Sequence, residues 1–242
     1  IKEPGFSVWL QGSKAFADLP RGYAQVYLNS PLRQQGVDAA VMMVLWSDLY
    51  GLQQTALINE ASIAGMGLSL GLDEGLRLSI SGFTDKQPEL LIAVLAGLRV
   101  EPTQQALDQA IDRFVRGLEN RKRELPFRQL GRTLSSLTRT GFYDEASLLD
   151  ALAEITPARF NAFVERVLDT ALVRVYLFGN YDEAFANDLA QALQSALPGD
   201  RTGATEYARE RVYAPIPGQT LVKNTDLPVE DLGMMLLYAA PE

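Results

Sequence analysis

Two of the groups that most often do chemistry in proteins are missing from these 242 residues, which contain no histidine and no cysteine. That removes imidazole bases, thiol nucleophiles, disulfides and the nitrogen or sulfur ligands of a water-activating zinc. Carboxylates remain, in close pairs: Asp108 with Asp112, Asp144 with Glu145, Asp182 with Glu183, and Glu230 with Asp231. Carboxylates alone suit magnesium or calcium rather than zinc. Pairs at this spacing are also what helix caps and solvated faces produce, and that reading is adopted for all four. Ser79-Ile80-Ser81-Gly82 puts two hydroxyls on an ordinary strand pattern and is not a G-x-S-x-G nucleophile elbow. Tyr181 and Asp182 can line a substrate surface, but a strand running into a helix N-terminus explains them as well. Met66, Met234 and Met235 are read as core residues rather than as an adaptable binding surface. By itself the chain is expected to be catalytically inert.

One charged stretch stands apart. Between Arg113 and Arg139 lie eight basic residues against two acidic ones, Glu119 and Glu124, in a chain of formal charge −8 and pI near 4.8. Arg121, Arg128 and Arg132 share a face if one helix runs through, although Pro126 bends or breaks it. Two readings stay open: a solvated face with internal ion pairs, or a docking surface for an acidic partner. The acidic balance argues against a nucleic-acid partner. No apolar run is long enough to span a bilayer, and Ile1-Lys2-Glu3-Pro4 lacks the pattern of a signal peptide, so no membrane association is expected. Without an initiator methionine the chain reads as an excised piece. The cysteine usage fits cytoplasm or periplasm, and a bacterial cytoplasmic setting is the expectation.

Positioning these groups falls to elements that periodicity predicts. Strands are expected at 6–11 and 23–29, then a long helix from Gly36 to about Ala61 on the spacing of Val37, Val41, Val44, Leu45, Leu49, Leu52, Ala56 and Leu57. Strands at 63–70 and 74–82, joined around Asp73, follow. Helices are predicted at 86–98, 103–124, 126–140, 144–153 and 157–170, with Thr103 and Thr156 as caps. Val173, Val175 and Leu177 mark a strand ending at Gly179-Asn180, and a helix from Tyr181 to Leu197 closes the unit. Pro198-Gly199-Asp200-Arg201-Thr202-Gly203 reads as a linker, followed by strand-like runs at 206–213, 219–223 and 232–238. With 47% hydrophobic residues the chain can bury a substantial core. The element order predicts an α+β unit, an antiparallel or mixed sheet with helices packed on one face. Residues 1–199 form one domain on this reading. Residues 200–242 are a linker and the first strands of the next, whose last apolar strand must pair or stay exposed.

The most distinctive letters lie where a strand turns into a helix. Leu76, Leu78 and Ile80 alternate with Arg77, Ser79 and Ser81; Gly82 can end the strand, Thr84 or Asp85 can cap the helix, and Pro88 is tolerated in its first turn. Gly82-Phe83-Thr84-Asp85-Lys86-Gln87-Pro88 resembles the G-Y-x-D-K-Q-P signature in the C-terminal half of the pitrilysin/insulinase family of zinc metallopeptidases. Other landmarks follow in that family's order: Trp9, Phe16 and Pro20; Val26-Tyr27-Leu28-Asn29-Ser30-Pro31; Ala61-Ser62-Ile63-Ala64-Gly65-Met66; and Arg116-Gly117-Leu118-Glu119-Asn120 before Pro126. Leu177-Phe178-Gly179-Asn180 resembles the family's H-G-N strand end, with Phe178 in place of the histidine. The likeness covers roughly residues 6 to 240.

The resemblance implies a pitrilysin-type α/β roll and a non-catalytic domain that shapes a peptide-enclosing chamber, assists substrate binding and takes part in opening and closing. It places zinc and the H-x-x-E-H motif in the catalytic N-terminal half of the same polypeptide, which becomes the partner, with a peptide as substrate. Gly82, Phe83, Asp85, Lys86, Gln87 and Pro88 are then structural, and Arg121, Arg128 and Arg132 are candidates for docking on the catalytic half. The Ala/Leu/Arg-rich composition suggests a bacterial relative such as the peptidase of pyrroloquinoline quinone biosynthesis. Alternatives are a scaffold domain whose parent has lost the zinc motif, or a freestanding ligand-binding domain.

Overall fold

Alternation in the sequence decides the sheet. In the computed structural model, which describes residues 1–13, 19–72, 75–197, 199, 201, 211–213, 218, 220–226 and 233–237, the strands are β1 (Lys2–Glu3), β2 (Phe6–Gly12), β3 (Arg21–Asn29), β4 (Gly67–Leu72), β5 (Gly75–Phe83) and β6 (Leu172–Gly179). They form one sheet in the order β1-β2-β6-β3-β5-β4. β2 and β6 run parallel and the other neighbours antiparallel, so the sheet is mixed.

Successive strand residues leave on opposite faces. Val8, Val26, Leu28, Leu76, Leu78, Ile80, Val173, Val175 and Leu177 are buried on one face. Over it lie α1 (Val37–Gln53), α2 (Thr55–Ile63), α3 (Gln87–Ala96) and α8 (Glu183–Ala196), with α1 and α2 on β4, α3 on β5 and α8 on β2. Outside them, α4 (Gln104–Arg121), α6 (Glu145–Leu152) and α7 (Pro157–Thr170) pack on α1, while α5 (Pro126–Thr138) follows the turn after α4. Trp46, Tyr50 and Phe160 are fully buried, and each large side chain taken from water contributes roughly 2–3 kcal/mol. Their polar tips are satisfied: Trp46 Nε1 donates to Leu98 O at 2.9 Å and Tyr50 Oη to Val94 O at 2.7 Å, tying α1 to α3 and the loop beyond it. Burial pushes the Tyr50 phenol pKa upward.

The caps hold as expected at Thr103, whose Oγ1 accepts from Ala106 N, and at Thr156, which accepts from Arg159 N. Four expectations need correction. The long helix is two, because the backbone at Gln54 flattens to ψ 0° and its buried side chain turns in against Gly97. The strand expected from residue 63 starts at Gly67: Gly65 at φ 74° lets its N–H reach Ser62 O and Met66 N–H reach Ala61 O, a Schellman closure of α2. Neither Thr84 nor Asp85 caps α3; they wind into a 3₁₀ turn, Thr84–Lys86, and α3 opens after Lys86 without a side-chain cap, with Pro88 in its first turn. Among the described residues of the last two strand-like runs, 220–223 and 233–237 are irregular. Only Val212 pairs, with Arg139. Gly233 lies instead on α5 beside Leu130 and Pro126, and Met234 and Met235 are exposed while Met66 is buried as expected. Phe16, Asp73, Pro198, Asp200, Thr202, Gly203, Glu230 and Asp231 fall outside the described residues.

Candidate functional site

The signature turn closes one end of the sheet. Gly82 sits at φ 124°, where an added Cβ would come 2.7 Å from Met66 Sδ and 3.1 Å from Met66 Cα. Gln87 is only 2% exposed. Its Nε2 donates to Gly22 O at 2.9 Å and to Gly82 O at 3.2 Å, and its Oε1 accepts from the Tyr181 hydroxyl. Burial raises the Tyr181 phenol pKa, opposed by this bond to Gln87. Gly22 has to be glycine for a visible reason: a Cβ there would strike the Tyr181 ring at 2.4 Å. One side chain thus joins β3, β5, α3 and the entry to α8. Asp85 and Lys86 are exposed, and the 3.8 Å pair of Lys86 with Glu89 is too well solvated to matter much. Tyr181 is therefore a buried tie rather than a surface residue.

The sheet's second face is a different matter, because none of the described helices packs on it. Across β2, β6 and β3 it carries Trp9, Tyr176, Phe178, Tyr23 and Tyr27; Trp9 is 56% exposed, Phe178 45%, and Tyr23 and Tyr176 40% each. Trp9 lies opposite Tyr176, and Phe178 opposite Tyr23. Tyr27 and Tyr176 meet edge to face with centroids 6.0 Å apart. Arg21 lies over the Phe83 ring at 4.9 Å. Of these residues the sequence reading singled out Trp9 and Phe178 as family landmarks only. The signal was there: aromatic residues alternate with aliphatic ones in Val8-Trp9-Leu10 and in Val175-Tyr176-Leu177-Phe178.

The carboxylate pairs serve the helices. Asp144 Oδ1 accepts from Ser147 N at 2.9 Å and Asp182 Oδ1 from Phe185 N at 2.7 Å, and the Ser147 N–H holds the Asp144 carboxyl below its usual pKa. Asp108 accepts from Gln104 one helical turn earlier. Among the described residues no three metal-ligating side chains come together, so the residues present do not fit a zinc ion.

The basic stretch is divided. α4 ends at Arg121 and α5 begins at Pro126, so Arg121 does not share a helix with Arg128 and Arg132. Arg132 closes the turn from inside, its guanidinium donating to Glu124 Oε2 at 2.5 Å and to Arg121 O at 2.9 Å, while buried Gln129 donates to the carbonyls of Lys122 and Glu124. The hydrogen bond from Arg132, helped by the charges of Arg132, Arg128 and Arg121, lowers the Glu124 pKa. Arg121 and Arg128 have no carboxylate partner among the described residues.

These features match known proteins. Residues 1–151 match the family described as the middle or third domain of peptidase_M16. Protease 3 of Shigella flexneri is 25% identical over 87% of this chain, and a putative zinc protease, mug138, of Schizosaccharomyces pombe is 25% identical over 89%. The chain spans about a fifth of these relatives, 22% and 23% of their lengths. The crystal structure of pitrilysin superposes with a TM-score of 0.76 at 25% identity, covering 83% of this chain and 22% of that one. The fold, the position of the signature and the matched residues agree that this chain belongs to the pitrilysin/insulinase (M16) peptidase family, as a non-catalytic domain of its C-terminal half.

Proposed function

We propose that this domain forms a wall of a peptide-enclosing chamber, with the open aromatic face of the sheet turned toward the substrate. The observation that carries this is the cluster of Trp9, Tyr23, Tyr176 and Phe178 left exposed on a face that the described helices do not cover. Contiguous apolar surface of this kind marks interaction sites, and aromatic rings with polar tips accept many peptide sequences. Zinc and the hydrolytic motif belong to the N-terminal half of the parent polypeptide, in line with the zinc protease named among the relatives. Arg121 and Arg128 are the basic groups offered to that half at the α4–α5 turn. Residues 200–242 lead into the next domain.

The test is photo-crosslinking in the full-length polypeptide, with benzoylphenylalanine at Tyr176 and, as a control, at Ile92 on α3, which is 56% exposed on the helical side. Peptide substrate is expected to be captured at Tyr176 and not at Ile92. Capture only of another segment of the same polypeptide would make the face an interdomain contact. Zinc analysis of that polypeptide distinguishes an active peptidase from one that has lost its motif. The narrower assignment to pyrroloquinoline quinone biosynthesis rests on composition, and the genes neighbouring the parent's gene test it.

A further inference from the structure

The open face has a relief and a charge pattern. Register places Trp9, Tyr176, Gln25, Ser79 and Ser69 in one row across β2-β6-β3-β5-β4, and Gln11, Phe178, Tyr23, Ser81 and Gly67 in the next. The aromatic rings therefore stand on the β2, β6 and β3 side. Beside them β5 and β4 present only Ser79, Ser81, Ser69, Gly67 and Gly71 with Arg77, so the rings form a ridge along a low polar floor. Gly67 and Gly71 leave that floor open: an added Cβ would reach Ser81 Oγ at 2.4 Å and the Arg77 guanidinium at 3.1 Å.

The charge pattern is one-sided. The chain has 30 acidic residues, yet strands β2 to β6 carry none of them; their charged residues are Arg21, Arg77 and Arg174, and all three alternate onto the open face. Arg174 and Arg77 flank Tyr27 in one row. Arg21 lies at the opposite end of the same strand, held flat on Phe83. Six residues of strand separate Arg21 from Tyr27, about 20 Å at the usual rise. A protein of net charge −8 thus presents a locally cationic surface, with aromatic rings between its two charged ends.

We propose that this face selects extended peptide segments of about six residues that carry acidic side chains at their ends and aromatic side chains between them. The inference rests on the chamber-wall reading and narrows it to a substrate class. Aromatic side chains of the segment lie on the serine and glycine floor against the ring edges, the offset or edge-to-face geometry such pairs prefer. Carboxylates meet Arg21 at one end and the Arg77 and Arg174 row at the other. A segment with lysines at those places meets like charge along a wall that offers no acidic side chain from its strands, which disfavours it.

Binding of dye-labelled peptides to the 242-residue chain tests this by fluorescence polarisation, with Trp9 emission as the local reporter. Three tryptophan-free peptides are compared: one with terminal acidic residues and two internal phenylalanines, its lysine counterpart, and its serine-for-phenylalanine counterpart. The acidic aromatic peptide is expected to bind at least about tenfold more tightly than either, with the preference over lysine shrinking as salt rises. Arg21→Glu and the milder Arg21→Gln, both at an exposed strand end, are expected to reduce the acidic preference several-fold with unchanged circular dichroism. Equal affinity for the acidic and lysine peptides, or a preference that survives both Arg21 variants, overturns the charge selection and leaves the chamber wall standing. Binding of no peptide, with Trp9 emission unmoved, overturns both.

Discussion

Replacing Gln87 with leucine should destabilise the domain far more than a single buried amide suggests. The side chain serves three partners at once, Gly22 O, Gly82 O and the Tyr181 hydroxyl. Leucine keeps most of the volume but leaves the buried phenol without an acceptor and two partly covered carbonyls without a donor. A stranded buried polar group costs about 1–3 kcal/mol, and the carbonyls add less, giving roughly 2–4 kcal/mol in all. In a protein of this size that lowers Tm by about 5–15 °C. Tyr181→Phe removes one bond and should cost about 1 kcal/mol. The double variant should cost less than the two single effects added, by about 1–2 kcal/mol, because the apolar pair strands fewer groups than either alone. Urea unfolding followed by circular dichroism and by the buried Trp46 gives all three values. A Gln87→Leu loss under about 0.5 kcal/mol, the size of a surface change, or strict additivity with Tyr181→Phe, would refute the latch. Gln87→Glu adds a pH signature. A carboxylate there faces two carbonyl oxygens in a buried site, so its folded pKa rises above the unfolded value. The variant should approach wild-type stability at acid pH and lose it progressively as pH rises toward neutrality.

Gly82→Val forces a branched side chain to φ 124° and into Met66, and is expected to cost about 1–3 kcal/mol in the same unfolding assay; a change within the scatter of surface substitutions would show that the turn tolerates a side chain. Glu124 has a lowered pKa, so its contribution is present above the unfolded value and lost as pH falls through the folded one. An NMR titration should find its carboxyl below the ordinary glutamate range, and Arg132→Met should return it upward; no movement would mean that Arg132 does not hold it. Acrylamide should quench the emission of Trp9 strongly and that of Trp46 hardly at all, since Trp9 is 56% exposed and Trp46 0%. Single-tryptophan variants measure each, and a shielded Trp9 would contradict the open face. Reversing Arg121 and Arg128 to glutamate should leave this domain folded and change the salt dependence of peptide cleavage by the full-length polypeptide; identical salt profiles would leave both as solvated surface charges.

Local chemistry was legible in the letters and long-range geometry was not. Thr103, Asp144, Thr156 and Asp182 announce their helices because a cap acts within three residues. Gly82 announces a strand end because only glycine is comfortable at its backbone angles. Gln87 gave no such local sign, since its partners Gly22 and Tyr181 are 65 and 94 residues away. The break between Ile58's helix and Trp46's was hidden for a related reason: the apolar spacing continues through Gln54, and what ends α1 is the fit of that glutamine against Gly97 in another loop. Strands apolar on both sides, such as Val175-Tyr176-Leu177-Phe178, are ambiguous in sequence, because a doubly covered strand and a strand with one binding face look alike. Arg132 was grouped with Arg121 and Arg128 by charge, whereas the turn at Pro126 turns it inward to Glu124.

The position of β6 bears on how the chain can fold. It is the last strand made and one of the innermost, lying between β2 and β3, which are neighbours in sequence but never touch as strands. Until residue 179 has been synthesised, β2 has no lasting place, since it joins the rest of the sheet through β6 alone. The β3-β5-β4 part can pair early, and β2 must wait for a partner more than 160 residues downstream, a large loop-closure entropy that predicts slow folding. The family match ends at residue 151. A fragment cut there contains the signature turn but lacks the keystone strand, and it should emerge from the ribosome as a sticky half-sheet in search of an edge.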